Sequence, residues 1–382
     1  MNITITPRHL RGEVTVIPSK SQAHRLLICA AFADGPTQLV CSETNRDIEA
    51  TVDCLRALGA QILPTESGYT VFPVESAPQS AVLPCRDSGS TLRFMLPVAG
   101  ALGVNATFIL EGRLPARPLS PLWEEMERMG CSLSRPTENT VRCQGKLRSG
   151  EYSIDGSISS QFITGLLFAH MLLDDCALTI TGKLESKPYV DLTKAALDLF
   201  ADRRSPGYVA VEGDWSNGAF WLAANALGCD LSIHGLDQAS LQGDRAVVDI
   251  LRQLEIGTPT VSVADIPDLV PILSVVAAAN HGAVFTDIQR LRLKESDRVA
   301  SVIAMLEALG GKAAATEDTL TVHPATLTGG TVDSCNDHRI AMSTAIAAIV
   351  CSQPVSVLGA EAVNKSYPHF WAEYRRLGGN YE

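Results

Sequence analysis

Six short polar clusters punctuate the chain: Ser19-Lys20-Ser21, Arg86-Asp87-Ser88-Gly89-Ser90, Ser157-Ile158-Ser159-Ser160-Gln161, Gly213-Asp214-Trp215-Ser216, Asp265-Ile266-Pro267-Asp268 and Asn336-Asp337-His338-Arg339. Each stands directly before a long apolar stretch at helical spacing. The first turn of a helix leaves backbone N–H groups without partners and carries a partial positive charge, so phosphates and carboxylates bind there. Six such ends brought together would make a pocket for a heavily phosphorylated or carboxylated ligand. Lys294 and Arg298 point the same way. Four residues apart and expected on one helix, they repel by roughly 0.2–0.5 kcal/mol, and an anion held between them would offset that. Serines before a helix also serve as plain N-caps, and a lone arginine is commonly a solvated surface ion pair. The argument therefore rests on the set.

Elements that could position these residues recur six times. The unit is a polar cluster, an apolar helix, a strand and a second helix closed by a turn. Predicted first helices span 21–33, 90–103, 161–173, 217–227, 269–279 and 339–350, and predicted second helices span 47–58, 119–129, 189–200, 244–254, 296–309 and 367–377. Glycines such as Gly59, Gly130 and Gly310-Gly311 stand where a helix ends in a left-handed residue. A row of six units would expose apolar ends unless capped. The first and last units resemble the others, so two closed groups of three are expected.

At 382 residues the chain exceeds what one core usually serves, and 46% hydrophobic with 19% charged residues suits a globular α/β protein. A net charge of −11 argues against a nucleic-acid surface, although a basic pocket can sit inside an acidic whole. The ten cysteines form no CxxC pair and no Cys/His metal spacing, and several lie inside apolar runs, as reduced core residues do. There is no HExxH, no GxGxxG and no GxxxxGK[ST], so neither a metal, a nucleotide nor another cofactor is expected. The N-terminus lacks a signal layout and no apolar run reaches a membrane span, so cytoplasm is the expected location and a monomer the expected state.

The ordered run of Lys20-Ser21 with Arg25, Gly89 with Arg93, Arg117-Pro118, Ser159-Ser160-Gln161, Ser186-Lys187-Pro188-Tyr189, Gln242-Gly243-Asp244, Ile266-Pro267-Asp268, Arg292 through Arg298, Asp337-His338-Arg339 and Lys365-Ser366-Tyr367-Pro368 resembles the 5-enolpyruvylshikimate-3-phosphate synthase family from end to end. The resemblance implies an enolpyruvyltransferase-like α/β fold. Two pseudo-three-fold domains would each hold three of the six units, with inward-pointing helices. It implies a domain over 19–212, a discontinuous domain over 1–18 and 213–382, and an active site in the cleft between them that closes on ligand binding. It implies transfer of the enolpyruvyl group of phosphoenolpyruvate to the 5-hydroxyl of shikimate 3-phosphate, by addition and elimination, in aromatic amino acid biosynthesis.

Carried over position by position, the resemblance assigns shikimate 3-phosphate to Lys20, Ser21, Arg25, Ser159, Ser160, Gln161, Ser186, Asp268 and Lys294. It assigns phosphoenolpyruvate to Lys20, Gly89, Arg117, Gln161, Arg298, Arg339 and Lys365. It makes Asp268 and Glu295 the acid–base pair, with Lys20, Lys365 and His338 beside the reacting groups. The substrates together bear two phosphates and two carboxylates, and the excess of matched cations over Asp268 and Glu295 is of similar size. Gly89 would leave room for phosphoenolpyruvate and for the inhibitor glyphosate.

The chain departs from the family at Asp87 and Arg290, where asparagine is usual, and at Phe94, where proline is common. It is also shorter near 202–208 and 257–263, so truncated helices or strands are expected in units three to five. Two other readings remain. A UDP-N-acetylglucosamine enolpyruvyltransferase would have asparagine after the first lysine and a loop cysteine, whereas Ser21 follows Lys20 and the 113–117 loop has none. A catalytically silent anion-binding homologue would not need Asp268 and Glu295 together with the full cation set.

Overall fold

The computed structural model describes residues 1–382. By contacts the chain divides into two compact units, one of Pro18–Glu212 and one of Met1–Ile17 with Gly213–Glu382. The chain begins with β1 (Asn2–Thr6) and β2 (Arg11–Thr15), both in the second of these units.

Three repeats build Pro18–Glu212. The first holds α1 (Lys20–Ala31), β3 (Thr37–Val40), α2 (Arg46–Ala57), β4 (Gln61–Thr65) and β5 (Gly68–Phe72). The second holds β6 (Ser80–Arg86), α3 (Gly89–Leu102), β7 (Asn105–Leu110), α4 (Leu122–Arg128), β8 (Cys131–Ser134) and β9 (Thr140–Gly145). The third holds β10 (Gly150–Asp155), α5 (Ser160–His170), β11 (Cys176–Thr181) and α6 (Lys187–Leu199), after which β12 (Tyr208–Ala210) returns to pair with β3. The other unit repeats the plan with α7 (Trp215–Ala226), β13 (Asp230–His234) and α8 (Val247–Ile256). Next come β14 (Thr260–Ser262), α9 (Val270–Ala279), β15 (Ala283–Thr286), α10 (Arg298–Ala308), β16 (Lys312–Ala315) and β17 (Thr319–His323). The sixth repeat has β18 (Gly330–Asp333), α11 (His338–Ala347), β19 (Val355–Leu358), α12 (Phe370–Arg376) and β20 (Asn380–Tyr381).

The first helix of each repeat is apolar nearly all round, and such helices are stable only when buried on every side. All ten residues of α11 are buried, as are twelve of the fourteen in α3. In one unit α7, α9 and α11 pack on one another, and in the other α3 packs on α5 while α6 lies against α1 and α5. Each unit has its own contiguous apolar core.

Four sheets share one design. Their orders are β12-β3-β5-β4, β6-β7-β9-β8, β14-β15-β17-β16 and β18-β19-β1-β20. In each, a parallel pair is extended by antiparallel strands. The remaining two sheets, β10-β11 and β2-β13, stop at the parallel pair. This corrects the expectation of shortened elements across units three to five. The fifth repeat is complete, α6 and α8 keep full length, and the loss falls on the hairpins of repeats three and four.

Several helices start later than the apolar pattern suggests, for local reasons. Pro118 and Pro121 hold off α4 until Leu122, and Pro368 precedes α12, which starts at Phe370. Asp297 caps α10 by accepting from the N–H groups of Val299 and Ala300, so Lys294 lies outside the helix that carries Arg298. The two cations therefore do not share a helix face, and what repulsion acts between them comes from their tertiary positions rather than from helical spacing.

Candidate active site

In Pro18–Glu212 the three central helices open on serine caps. Ser19, Ser88 and Ser159 accept from the N–H groups of Gln22, Thr91 and Gln161. A serine cap satisfies a donor without adding negative charge, so the positive helix end remains available to an anion. Lys20 begins α1 and meets Asp47 of α2 at 2.9 Å. Arg25, one turn further on, is buried among neutral acceptors only: Nε donates to Thr193 Oγ1 at 2.8 Å, and Nη2 to the Tyr189 carbonyl at 2.8 Å. Nη2 also reaches Thr164 Oγ1 at 3.4 Å, while Nη1 donates to the Ser21 carbonyl at 2.5 Å. Burial pushes the Arg25 guanidinium down to about 10, which still leaves it charged at neutral pH. The neighbouring His24 is pushed down to about 3 by burial and so stays neutral. A buried cation with no carboxylate against it is a site for an anion.

Phe94, one of the departures from the family pattern, lies beneath Arg25, with the guanidinium carbon 5.3 Å from the ring centroid. The substitution leaves α3 starting regularly at Gly89 and supplies a cation–π platform. Nearby, Arg93 donates to Gln161 Oε1 at 2.8 Å and to the Pro118 carbonyl at 3.0 Å, and Gln161 donates to Ser90 Oγ at 2.9 Å. These contacts tie the start of α5 to the start of α3 and to the Arg117-Pro118 loop. Gly89 is the seat of the cluster. A Cβ there would lie 2.6 Å from Arg117 Nη1 and 2.7 Å from Arg93 Nη1. The glycine therefore admits two guanidinium groups, a more specific reason for it than space for a ligand. Ser160 and Ser186 are buried, and Ser186 holds a left-handed backbone (φ 54°) at the start of α6. Such a backbone is uncommon outside glycine and asparagine. Ser21 lies on α1 between Lys20 and Arg25.

The other unit gathers carboxylates around one arginine. Arg298, 1% exposed, donates Nη1 to Asp268 Oδ1 at 2.5 Å, Nη2 to Glu295 Oε2 at 2.9 Å and Nε to Asp337 Oδ2 at 2.8 Å. Lys294 Nζ reaches the same Asp268 oxygen at 3.3 Å, and Arg339 Nη2 lies 4.0 Å from the second. Arg339 is fixed by a 2.8 Å bond to the Ser216 carbonyl and by Phe220, whose ring centroid is 5.8 Å from its guanidinium carbon. Asp337 caps α11 through the Arg339 N–H and accepts from Ser296 Oγ at 3.0 Å. His338 begins α11, with Nδ1 3.7 Å from Asp337. Lys365 is buried at the end of the 3-10 segment Ala360–Lys365.

Electrostatics divide the carboxyl groups. Burial alone would push Asp268 up, but Lys294, Arg298 and Arg339 outweigh it and hold this carboxyl well below the usual range. Asp244, at the start of the turn before α8, behaves oppositely. Burial and the Asp268 charge push it up to about 7 against Arg339 and a hydrogen bond from Ser216. Two nearby carboxyls with separated proton affinities suit a site that moves protons. Lys294 is lowered by burial, partly countered by Asp268.

The sequence pointed to Asp268, Glu295, Lys294, Arg298 and Arg339, and these stand in one network. It also pointed to Gly89, Arg117 and Gln161, which meet through Arg93. It assigned no role to Asp47, Asp244 or Asp337. Asp47 looks like an ordinary acidic residue in a helix's first turn. Asp337 looks like a cap, and Asp244 appears only within Gln242-Gly243-Asp244, where nothing local marks it as buried.

A family model described as EPSP synthase (3-phosphoshikimate 1-carboxyvinyltransferase) matches residues 5–374. The 3-phosphoshikimate 1-carboxyvinyltransferase of Clostridium kluyveri is 38% identical over 419 aligned positions, covering 99% of this chain and 97% of its own. That of Clostridium beijerinckii is 36% identical over 429 positions, covering 100% and 98%. Among solved structures, an EPSP synthase from Acinetobacter baumannii superposes with a TM-score of 0.81 at 23% identity, covering 100% of this chain and 99% of that one, and so shares the fold. With the family model matched along nearly its whole length and curated relatives above 30% identity, this chain belongs to the EPSP synthase (3-phosphoshikimate 1-carboxyvinyltransferase) family.

Proposed function

We propose that the protein transfers the enolpyruvyl group of phosphoenolpyruvate to the 5-hydroxyl of shikimate 3-phosphate with release of phosphate, a step of aromatic amino acid biosynthesis. No helix is long and apolar enough to cross a membrane, and the reaction is read as cytoplasmic. The observation that carries the mechanism is the grip of Arg298 on Asp268 and Glu295 together.

Transfer needs two proton movements in each half. In the addition, the 5-hydroxyl oxygen bonds to C2 of phosphoenolpyruvate and loses its proton, while the methylene carbon gains one. In the elimination, the methyl carbon gives a proton back, the C2–O bond to phosphate breaks as the leaving oxygen takes up a proton, and the enol ether forms. Glu295 is assigned to the carbon. Asp268, held ionised by its cations, is assigned to the 5-hydroxyl and takes its proton as the oxygen bonds to C2. Lys20 and Lys365 serve the bridging and leaving phosphate oxygens, and His338, at the start of α11 beside Asp337, is a supporting proton donor.

Ser21, Arg25, Ser159, Ser160, Gln161, Ser186 and Lys294 hold shikimate 3-phosphate. The burial of Arg25 among neutral acceptors supports this most directly. Arg117, Arg339, Lys365 and Gln161, with Gly89 making room, hold phosphoenolpyruvate and, by the same charges, glyphosate. Arg298 acts mainly by positioning the two carboxylates. The test is phosphate release on mixing both substrates, abolished in Glu295→Gln. Release with UDP-N-acetylglucosamine instead of shikimate 3-phosphate would refute the assignment.

A further inference from the structure

Two adjacent residues of α1 reach different neighbours. Arg25 is held by α5 and α6, through Thr164, Thr193 and the Tyr189 carbonyl. His24, 1% exposed, turns to α2 instead, where its Nδ1 lies 2.7 Å from Thr51 Oγ1. Thr51 Oγ1 lies 2.8 Å from Thr91 Oγ1 of α3, and Thr91 Oγ1 donates to Ser88 Oγ at 2.8 Å. Ser88, the cap of α3, also accepts from the Thr91 N–H at 3.3 Å, and Thr91 Oγ1 approaches the Asp47 carbonyl at 3.4 Å. Thr51, Thr91 and Ser88 are fully buried. Four polar side chains in series, shut away from water, thus join α1 and α2 to the start of α3.

The series runs one way, because a hydroxyl carries a single proton. Thr91 gives its proton to Ser88 or to the Asp47 carbonyl, so its oxygen receives from Thr51. Thr51 has then used its proton on Thr91 and receives from His24. His24 therefore holds its proton on Nδ1 and keeps a bare lone pair on Nε2. Nε2 is indeed buried with no hydrogen-bond partner. A buried N–H is rarely left orphaned, and an orphaned acceptor is less rare, so the other side of the ring requires the same tautomer. Burial keeps the ring neutral, with Asp47 opposing and Lys20 and Arg25 assisting.

We infer that His24 is a positioning residue for phosphoenolpyruvate: through Thr51, Thr91 and Ser88, its Nδ1–H fixes where α3 begins relative to α1 and α2. This rests on the assignment of Gly89, Arg117 and Lys20 to that substrate. Ser88 stands directly before Gly89, where the room is narrow, since an added Cβ would meet Arg117 and Arg93 at 2.6 and 2.7 Å. At the other end Asp47, one turn before Thr51, holds Lys20 at 2.9 Å. An anion that draws Lys20 away from Asp47 loosens that tie between α1 and α2. The His24–Thr51 bond is uncharged and enclosed, so it stays and keeps the three helices in place.

Nitrogen NMR of the wild-type His24 ring should show a proton on Nδ1 and none on Nε2 from about pH 5 to 8. His24→Leu and Thr51→Val should each lower kcat/KM for phosphoenolpyruvate by roughly 5–20-fold. Binding of shikimate 3-phosphate alone should change by less than about twofold, because Arg25 keeps its own threonine pair. The double variant should lose about as much as either single one, since both cut the same series. His24→Asn should recover most of the loss, because its amide nitrogen is as many bonds from Cα as Nδ1 is. Should His24→Leu fail to fold, Thr51→Val and the wild-type tautomer carry the test. Equal losses for both substrates, additive losses, or His24→Asn no better than His24→Leu would overturn the inference. Wild-type protein that releases no phosphate from the two substrates refutes the assigned reaction, whereas a proton found on Nε2 breaks the series whether or not the activity is present.

Discussion

Gly89→Ala isolates what one missing side chain does for two arginines. The added Cβ would stand 2.6 Å from Arg117 Nη1, 3.1 Å from Arg117 Cζ and 2.7 Å from Arg93 Nη1. Ordinary contact begins near 3.5 Å, so both guanidinium groups must withdraw by roughly 0.8–0.9 Å. Both are ends of flexible side chains, and the backbone at Gly89 is helical, so the fold itself has no reason to yield. Alanine in a helix is favoured over glycine by about 0.5–1 kcal/mol, which leaves stability unchanged or slightly raised. A displacement near 1 Å of groups that clamp a reacting anion lowers turnover by about 10²-fold, or about 2.7 kcal/mol of transition-state stabilisation. The assay is phosphate release at saturating shikimate 3-phosphate with phosphoenolpyruvate varied, alongside thermal unfolding. We expect kcat/KM for phosphoenolpyruvate to fall by roughly 30–100-fold and glyphosate inhibition to weaken in parallel. Binding of shikimate 3-phosphate should change by less than about threefold. Because Gly89→Ala and Arg117→Lys act on one contact, their combined effect should be less than additive. Unchanged kcat/KM for phosphoenolpyruvate refutes the reasoning. Loss of activity accompanied by a large drop in Tm would do so equally, since it would mean the glycine serves the fold.

Removing Arg298 leaves Asp268, Glu295 and Asp337 without their shared partner, so Arg298→Met should lose about 3–5 kcal/mol in denaturant unfolding as well as activity. Asp244, raised to about 7, binds its proton more tightly folded than unfolded. Stability should therefore fall as pH rises from about 4 to 7 and level off above, and Asp244→Asn should flatten that slope in pH-resolved melts. Asp268 has the opposite sign. Its stabilisation is present above its unfolded value near 4 and is lost as pH falls below, so Asp268→Asn should reduce acid sensitivity. Phe94→Leu removes the ring under Arg25 and should weaken shikimate 3-phosphate by about 3–10-fold, with little change in KM for phosphoenolpyruvate.

The sequence carried the repeat plainly because each central helix is largely apolar and all but α9 are announced by a polar cap. Ser19, Ser88, Ser159, Asp214 and Asp337 all cap as their positions suggest. Pairing was less visible. Nothing local says that β1 inserts between β19 and β20, because the partners lie at the far end of the chain. Lys294 was misplaced because Asp297, a better cap than the polar residues before it, starts the helix only at Arg298. Asp244 went unassigned because its altered proton affinity comes from burial and from Asp268, a neighbour distant in sequence. The missing hairpins could be suspected from length, but only the sheet orders locate them after α6 and α8.

The placement of β1 has a consequence for biosynthesis on the ribosome. Asn2 pairs with Leu358, and Thr6 with Asn380, so the earliest strand made waits for nearly the last. At about 5–20 residues per second the delay is roughly 20 to 70 s. The stretch Pro18–Glu212 is uninterrupted and can condense as it emerges, while the opening strand stays unpaired until translation is almost finished. A nascent chain stalled shortly before residue 355 should therefore hold one folded half and one unfinished half. Its exposed leading segment would then be the natural target for a holding chaperone.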